Sequence, residues 1–340
     1  MLLPGVYKRL HTRVETVRKE LLAILGLAVA HWADVLPSLT ELQVLRAGGD
    51  DEASVFTNMY HIQTHRRVRA LHRLGDAAEA GSLRSRTLSE LFVPLVWLFL
   101  LPNQSGGIDM NMANEALACI RRMATHLQWG HYYYWLKRFL RQLKEHAGKD
   151  ETSASERLHV RGIVGVLEAF HFPMDEDVEM SDDPIADESS TQAPPHAIAH
   201  DLTHDAADAR SLPRAQRLAL ATTLTTRVLP PLYEALATKD EDRLPARLPL
   251  LIGTARLAMY LPSDRRNVEL FKVFSELGSA LRSKLQSTRD TCRDMGVQML
   301  RAIGASYLPD VVHELRRILT RGPQLAVCAY TLHTLLVALA

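Results

Sequence analysis

The chain has 340 residues, 47% apolar and 23% charged, with 40 Lys and Arg against 39 Asp and Glu. That balance excludes collagen-like, low-complexity and membrane-embedded chains, and it supplies enough apolar side chains for a continuous core. Leu and Ala dominate and Gly is sparse, which favours helix, because Gly costs about 1 kcal/mol there relative to Ala. The cysteines, Cys119, Cys292 and Cys328, lie far apart in apolar stretches. No pair has zinc-site or redox spacing, so they are expected to be buried small hydrophobes in a reducing compartment.

The first element is TVRKELLAIL at 16–25. Residues 21–30 end in Ala-x-Ala after several basic residues, as a signal peptide does, but Glu15 and Glu20 interrupt the positive flank. Val17, Leu21, Ile24, Leu25 and Ala28 fall at helical spacing, so an amphipathic helix is predicted. The most basic helix follows, HIQTHRRVRALHRL from His61 to Leu74. Val68, Leu71 and Leu74 would face the core, leaving Arg66, Arg69 and Arg73 along an outward stripe with Arg67 beside it. Such a stripe suits successive RNA phosphates. A solvated face with local ion pairs has the same pattern, and both readings stand here.

The apolar run from Leu91 to Leu101 is too short to span a bilayer and contains Pro94. After NEALACIRRM at 114–123 come Tyr132, Tyr133, Tyr134 and Trp135, which lead into a helix with Leu136, Phe139, Leu140 and Leu143 inward. Lys137, Arg138 and Arg141 would face outward. Most of these rings are expected to pack internally rather than to offer a platform for bases. HVRGIVGVLEAF at 159–170 closes this half.

Composition then changes. From Pro173 to Ala209 there are eleven acidic residues and no Lys or Arg, leaving 40 basic against 28 acidic residues, a net of +12, elsewhere. Such a piece buries too little apolar surface to offset its ordering entropy, so a disordered loop is expected. A basic body beside it suits a protein that handles polyanions. His196, His200 and His204, with Asp201 and Asp205 nearby, have zinc-like helical spacing. Nothing around them provides supporting contacts, and an incidental His-rich loop is the reading adopted.

Beyond the loop, ARLPLLIGTARLAMYL at 246–261 and CRDMGVQMLRAIG at 292–304 repeat the earlier small-residue-rich helices. Taking Val17, Val68, Leu117, Val160, Leu248 and Met295 as equivalent, the spacings are 51, 49, 43, 88 and 47; removing the 37 acidic-segment residues turns 88 into 51. This period marks HEAT or armadillo helical pairs. Partner helices are announced by Pro4, Pro94, Pro230 and Pro309, since proline is tolerated in a first helical turn. In the last of them Leu308, Val311, Val312, Leu315 and Leu319 line one side and Asp310, Glu314, Arg316 and Arg317 the other. Leu325 to Ala340 reads as a buried repeat helix.

The expected fold is therefore an all-α HEAT/armadillo-type helical repeat solenoid. Residues 1–172 would be repeats, 173–212 an acidic disordered loop, and 213–340 repeats continuing the same solenoid. The sequence has no Gly-rich phosphate loop, no His-Glu-x-x-His and no nucleophile elbow. A soluble binding scaffold is expected, with no catalytic, cofactor-binding or metal residues and no small-molecule substrate.

Three blocks carry a family resemblance: HIQTHRRVRALHRL at 61–74, HLQWGHYYYWLKRFLRQL at 126–143 running to VLEAFHF at 166–172, and RDTCRDMGVQMLRAIGASYLPDVVHELRRILTRGPQLAVCAYTLHTLL at 289–336. In this order they resemble an internal region of the small-subunit processome component 20 family, also called DRIM or U-three small nucleolar RNA-associated protein 20. The likeness runs from about Asn58 onward and is looser before it. The chain departs at Pro323, where an aromatic is usual, and at Ala326, where a histidine is. The resemblance implies a very long nucleolar HEAT-repeat protein that works with pre-ribosomal RNA, processome proteins and the U-three snoRNP. It implies support of small-subunit rRNA processing without cleavage, away from any membrane. It brings no catalytic residues. An end within an apolar helix suggests a fragment, since a solenoid needs a polar capping repeat. The alternatives are a protein-only HEAT adaptor, as in transport or kinase-associated solenoids, and a metal-dependent hydrolase built on the histidines near His200.

Overall fold

The computed structural model describes residues 9–50, 52–102, 106–145, 153–172, 174, 214–238 and 240–339. Every regular element among them is helical. Helix α1 spans Glu15–Trp32 and is followed by the short turns Pro37–Thr40, Glu41–Gly49 and Val55–Asn58. Helix α2 spans Thr64–Glu79 and α3 runs through residues 85–100. Then come α4 (Met110–Ala124), α5 (Trp129–Glu145) and α6 (Ser153–Glu168). After the acidic segment, α7 runs through residues 214–236 and the turn Leu244–Arg247 leads to α8 (Leu250–Met259). The chain continues as α9 (Ser263–Ala280), α10 (Gln286–Ile303), α11 (Leu308–Ile318) and α12 (Pro323–Leu339).

These helices form two rows. In one row α2, α4, α6, α8, α10 and α12 each pack on the preceding member. Val68, Leu117, Val160 and Met295 lie on α2, α4, α6 and α10, and Leu248 directly precedes α8. Five of the six repeated segments read from sequence are thus neighbours in space; the first, around Val17 on α1, packs on the turn Val55–Asn58 instead. The other row pairs with it: α3 packs on α4, α5 on α6, α7 and α9 on α8, and α11 on α9. The core runs unbroken between the rows and includes fully buried Phe92, Tyr132, Trp135, Phe139 and Phe274. Each large apolar side chain so buried contributes about 1.5–3 kcal/mol.

Local chemistry sets the boundaries. Asp109 caps α4, its carboxylate accepting from the amides of Asn111 (3.1 Å) and Met112 (3.2 Å). Gly304, at φ 110°, ends α10 in a conformation that a side chain would oppose. Pro309 sits in the first turn of α11, as expected. Pro94 and Pro230 do not open helices. Each lies inside a continuous helical rod, directly after a π turn, Leu88–Phe92 and Leu224–Val228 respectively. A widened turn relieves the clash of a proline ring with the carbonyl four residues back, so the helix continues through the proline.

Three facial assignments change. On α1 the buried side chains are Arg18, Leu22, Leu25, Ala28 and Val29, while Val17 and Ile24 are exposed. Arg18 earns its place by stacking 4.5 Å from the Tyr60 ring centroid and donating to the Thr12 carbonyl at 2.6 Å. Glu314 is buried rather than outward, because Arg317 on the next turn binds both of its oxygens (2.8 and 2.5 Å). On α12 only Cys328, Thr331 and Leu335 are buried; Leu325, Tyr330, Leu336 and Val337 are exposed.

Helices α6 and α8 pack directly although the acidic segment separates them in sequence. A buried ion pair locks this junction: Arg247 Nε donates to Glu156 at 2.5 Å, and its Nη1 donates to the Ala235 carbonyl at 3.1 Å. Residues 175–213, with His196, His200 and His204, lie outside the described residues. Among the described residues no single helix is long and apolar enough to cross a membrane; only α1 with Pro37–Gly48, bent by 115°, meets that length and composition as a pair.

Candidate nucleic-acid interface

The four arginines proposed from sequence all lie on α2, whose Ala70, Leu71, Leu74, Ala77 and Ala78 face the core. The helix is thus oriented as the apolar spacing required, but its arginines have different environments. Arg67 reaches back to α1, where it meets Glu15 at 2.9 Å, and it also donates to the His61 carbonyl. Arg66 pairs with Glu52 at 3.5 Å. Arg73 donates to the Ala53 carbonyl at 2.6 Å. These three are half-buried and tie α2 to the preceding segments. Arg69 is exposed and makes no ion pair among the described residues. Just before α2, His61 is held below its ordinary pKa, first by loss of water and then by the charge of Arg66.

A second set of charges runs across the row of repeated helices. Arg122 on α4 grips Asp76 (2.5 Å) and Glu79 (2.6 Å) on α2. Its hydrogen bond holds the Glu79 carboxyl below the usual range. Arg161 on α6 donates to Asn114 on α4 at 2.9 Å, and Glu168 accepts from Arg121 (3.1 Å) and Arg256 (2.8 Å). Arg122 is neutralised by two carboxylates of the neighbouring helix, Arg121 and Arg256 share one, and Arg161 meets only a neutral amide. These contacts bind one repeat to the next.

A concavity of about 530 Å³ lies elsewhere, between residues 11–13, α3 and α5. Its walls include Pro94, Trp97, Tyr134 and Trp135, with His11, Arg13, His131 and Arg138 around them. Arg138 does not extend outward as the helical spacing suggested. It lies 4.9 Å from the Trp97 ring centroid and 5.0 Å from that of Trp135. Tyr134 is exposed, with its ring edge-on to Trp135 at 5.3 Å. The other rings of this run pack internally, as anticipated: Tyr132 is buried and donates to the Val166 carbonyl at 2.6 Å, and Trp135 donates to Ser89 at 3.1 Å. His131 Nδ1 lies 2.8 Å from the Ser85 hydroxyl, and burial lowers its pKa. His11 is also lowered, by burial first and by Arg138 second, while its ring reaches the carbonyls of Leu91 and Glu90 at the π turn. The sequence reading missed this cleft because its members are separated by as much as 127 residues, from His11 to Arg138. The one available signal was Tyr134 followed by Arg138 and Arg141 on one helical face.

Among the described residues no group of three or more His, Cys, Asp or Glu side chains could hold a metal ion. The cysteines are buried, and burial pushes the thiols of Cys119 and Cys292 up to about 12, too high for a reactive thiolate.

Residues 237–340 match the U3 small nucleolar RNA-associated protein 20 domain. The chain resembles that family. It is 28% identical over 337 residues, 99% of its length, to U3 small nucleolar RNA-associated protein 20 of Schizosaccharomyces pombe. It is 26% identical over 339 residues to the protein of the same name from Saccharomyces cerevisiae. The likeness therefore reaches the N-terminal sixty residues, where the motif blocks were weak. The chain spans 13% and 12% of the lengths of these two relatives. Neither name is that of an enzyme.

Proposed function

We propose that this chain is a section of a non-enzymatic scaffold of the small-subunit processome, a HEAT-type solenoid that supports pre-rRNA processing and small ribosomal subunit assembly in the nucleolus. The observation that carries this reading is the similarity, along almost the whole chain, to two proteins named for association with U3 small nucleolar RNA. The packed rows of helices suit it, because such arrays present long surfaces to large partners. Its partners would be pre-ribosomal RNA and processome proteins of the U3 particle. On the RNA side, Arg69 is the most available of the α2 arginines, with Arg66, Arg67 and Arg73 able to contribute only the edges left free by their internal partners.

Depletion of the full-length protein is expected to raise unprocessed small-subunit precursor RNA, read by hybridisation. Unchanged precursor after depletion would reject the proposal. A protein-only adaptor is the second reading, favoured by the internal pairing of three of the four α2 arginines. It predicts sedimentation in a large complex that ribonuclease leaves unaltered.

A further inference from the structure

We infer that the cleft between α3 and α5 is a binding site for a single nucleotide of single-stranded RNA, with Arg13 and Arg138 taking the phosphate and Tyr134 stacking the base. The inference rests on the scaffold proposal, in that it names where RNA of the assembling particle would be held.

Charge is the first argument. Arg13 and Arg138 make no ion pair among the described residues, whereas cations such as Arg121 and Lys144 are paired with a neighbouring helix. The carboxylate in the cleft wall, Glu90, is engaged by Arg86, whose Nε lies 3.1 Å from both of its oxygens. Two arginines beside one neutralised carboxylate leave the cleft with an uncompensated positive charge.

Preorganisation is the second. Arg138 rests over the adjoining indoles of Trp97 and Trp135, 4.9 and 5.0 Å from their centroids, so little side-chain freedom is lost when its guanidinium meets an anion. His11 and His131 have pKa values lowered by burial and are neutral at pH 7, offering hydrogen bonds rather than further charge.

Shape and chemistry together select the ligand. A volume of about 530 Å³ accepts a group of nucleotide size. An acidic peptide would use the arginines but gain nothing from the exposed Tyr134 face, whereas a base stacks on it. A duplex cannot enter, because its bases are already stacked and its phosphates cannot be followed into a concavity. Arg141, one turn beyond Arg138 on α5, is paired with Glu145 at 3.5 Å and adds no free charge to the cleft.

The test uses the full chain and a fluorescent twelve-nucleotide oligouridylate, with binding read by anisotropy across a salt series. Binding is expected, with Tyr134→Ala weakening it tenfold or more, and with Arg13→Ala and Arg138→Gln each reducing the salt slope by about one. Tyr134 and Arg13 are exposed, so their variants should fold, which unchanged circular-dichroism melting would verify. Wild-type affinity in both Tyr134→Ala and Arg13→Ala would overturn the inference. So would equal competition by a twelve-residue polyglutamate or by a duplex of the same length. If crosslinking of the full-length protein enriches precursor RNA and Tyr134→Ala leaves that enrichment unchanged, the cleft assignment fails while the scaffold proposal survives. If no precursor RNA is enriched at all, the scaffold proposal itself fails.

Discussion

A single buried pair shows how much one residue carries. Glu156 and Arg247 have side chains only 4% and 8% exposed, so removing Glu156 strands Arg247 away from water, whereas Glu156 keeps Arg243 at 4.0 Å when Arg247 is lost. Glu156→Gln is expected to cost about 3–5 kcal/mol, whereas Glu156→Gln combined with Arg247→Met should cost much less, since no unpaired buried charge remains. Chemical denaturation of the two variants checks this. Glu314 makes a pH prediction. Its carboxyl is held below the ordinary value, first by the hydrogen bond from Arg317. Its contribution to stability is therefore fully present above the ordinary carboxylate pKa of about 4.5. It is lost as pH falls through the lower, folded-state value. Acid unfolding should thus be less steep in Glu314→Gln than in the parent, and parallel acid melts would show it. Arg69 and Arg67 offer a contrast on α2: Arg67→Ala should lower the melting temperature because it breaks the tie from α2 to Glu15 on α1, while Arg69→Ala should leave it unchanged.

At the scale of elements, small residues decide how closely helices approach. A Cβ added at Gly162 on α6 would lie 2.3 Å from the ring of Phe139, which is itself fully buried on α5 and packed edge-on against Trp97 at 4.6 Å. Alanine would gain about 1 kcal/mol of helix propensity there, but it must displace an enclosed ring at a cost of about 1–3 kcal/mol. Gly162→Ala is expected to be destabilising on balance. Gly130 on α5 has no atom within 4 Å of an added Cβ, so Gly130→Ala should be neutral or stabilising. Comparing the two melting temperatures separates packing from propensity. The π turns before Pro94 and Pro230 belong to the same scale. The proline in each rod was visible in sequence, but the rod's continuation through it was not. Whether a helix stops or widens at proline depends on what packs against the carbonyls it frees. At Glu90 and Leu91 that partner is His11, some eighty residues away.

The whole molecule is a serial stack in which each helix of the repeated row touches the previous one, and the acidic insertion falls between α6 and α8 without separating them. Replacing residues 176–212 with a twelve-residue Gly/Ser linker should leave cooperative unfolding intact. The shorter connection should, if anything, stabilise the chain by about 1 kcal/mol through loop closure. Loss of cooperativity in a denaturant melt would instead show that the insertion is part of the folded body. The exposed apolar side chains at the two ends of the stack, such as Ile24 and Leu27 on α1 and Leu336 and Val337 on α12, lie on faces that no described element covers.

The sequence by itself determined the class of structure. Helix propensity, 3.6-residue periodicity and the spacing of about fifty residues depend on local energetics, and five of the six segments they marked became adjacent helices. It also determined that Leu71 and Leu74 would be core and that the cysteines would be inert, because burial of small apolar groups follows from their neighbours along the helix. Tertiary structure decided the rest. Which face of α1 is inward was set by Arg18 finding Tyr60, which lies 42 residues away, and Glu314 became core because Arg317 neutralises it. Three of the four α2 arginines acquired partners from segments that helical periodicity cannot see. The basic cleft exists only because α3, α5 and the residues near His11 converge. Charge patterns along a helix say which residues face outward; whether an outward cation is free for RNA depends on what the next element brings to it.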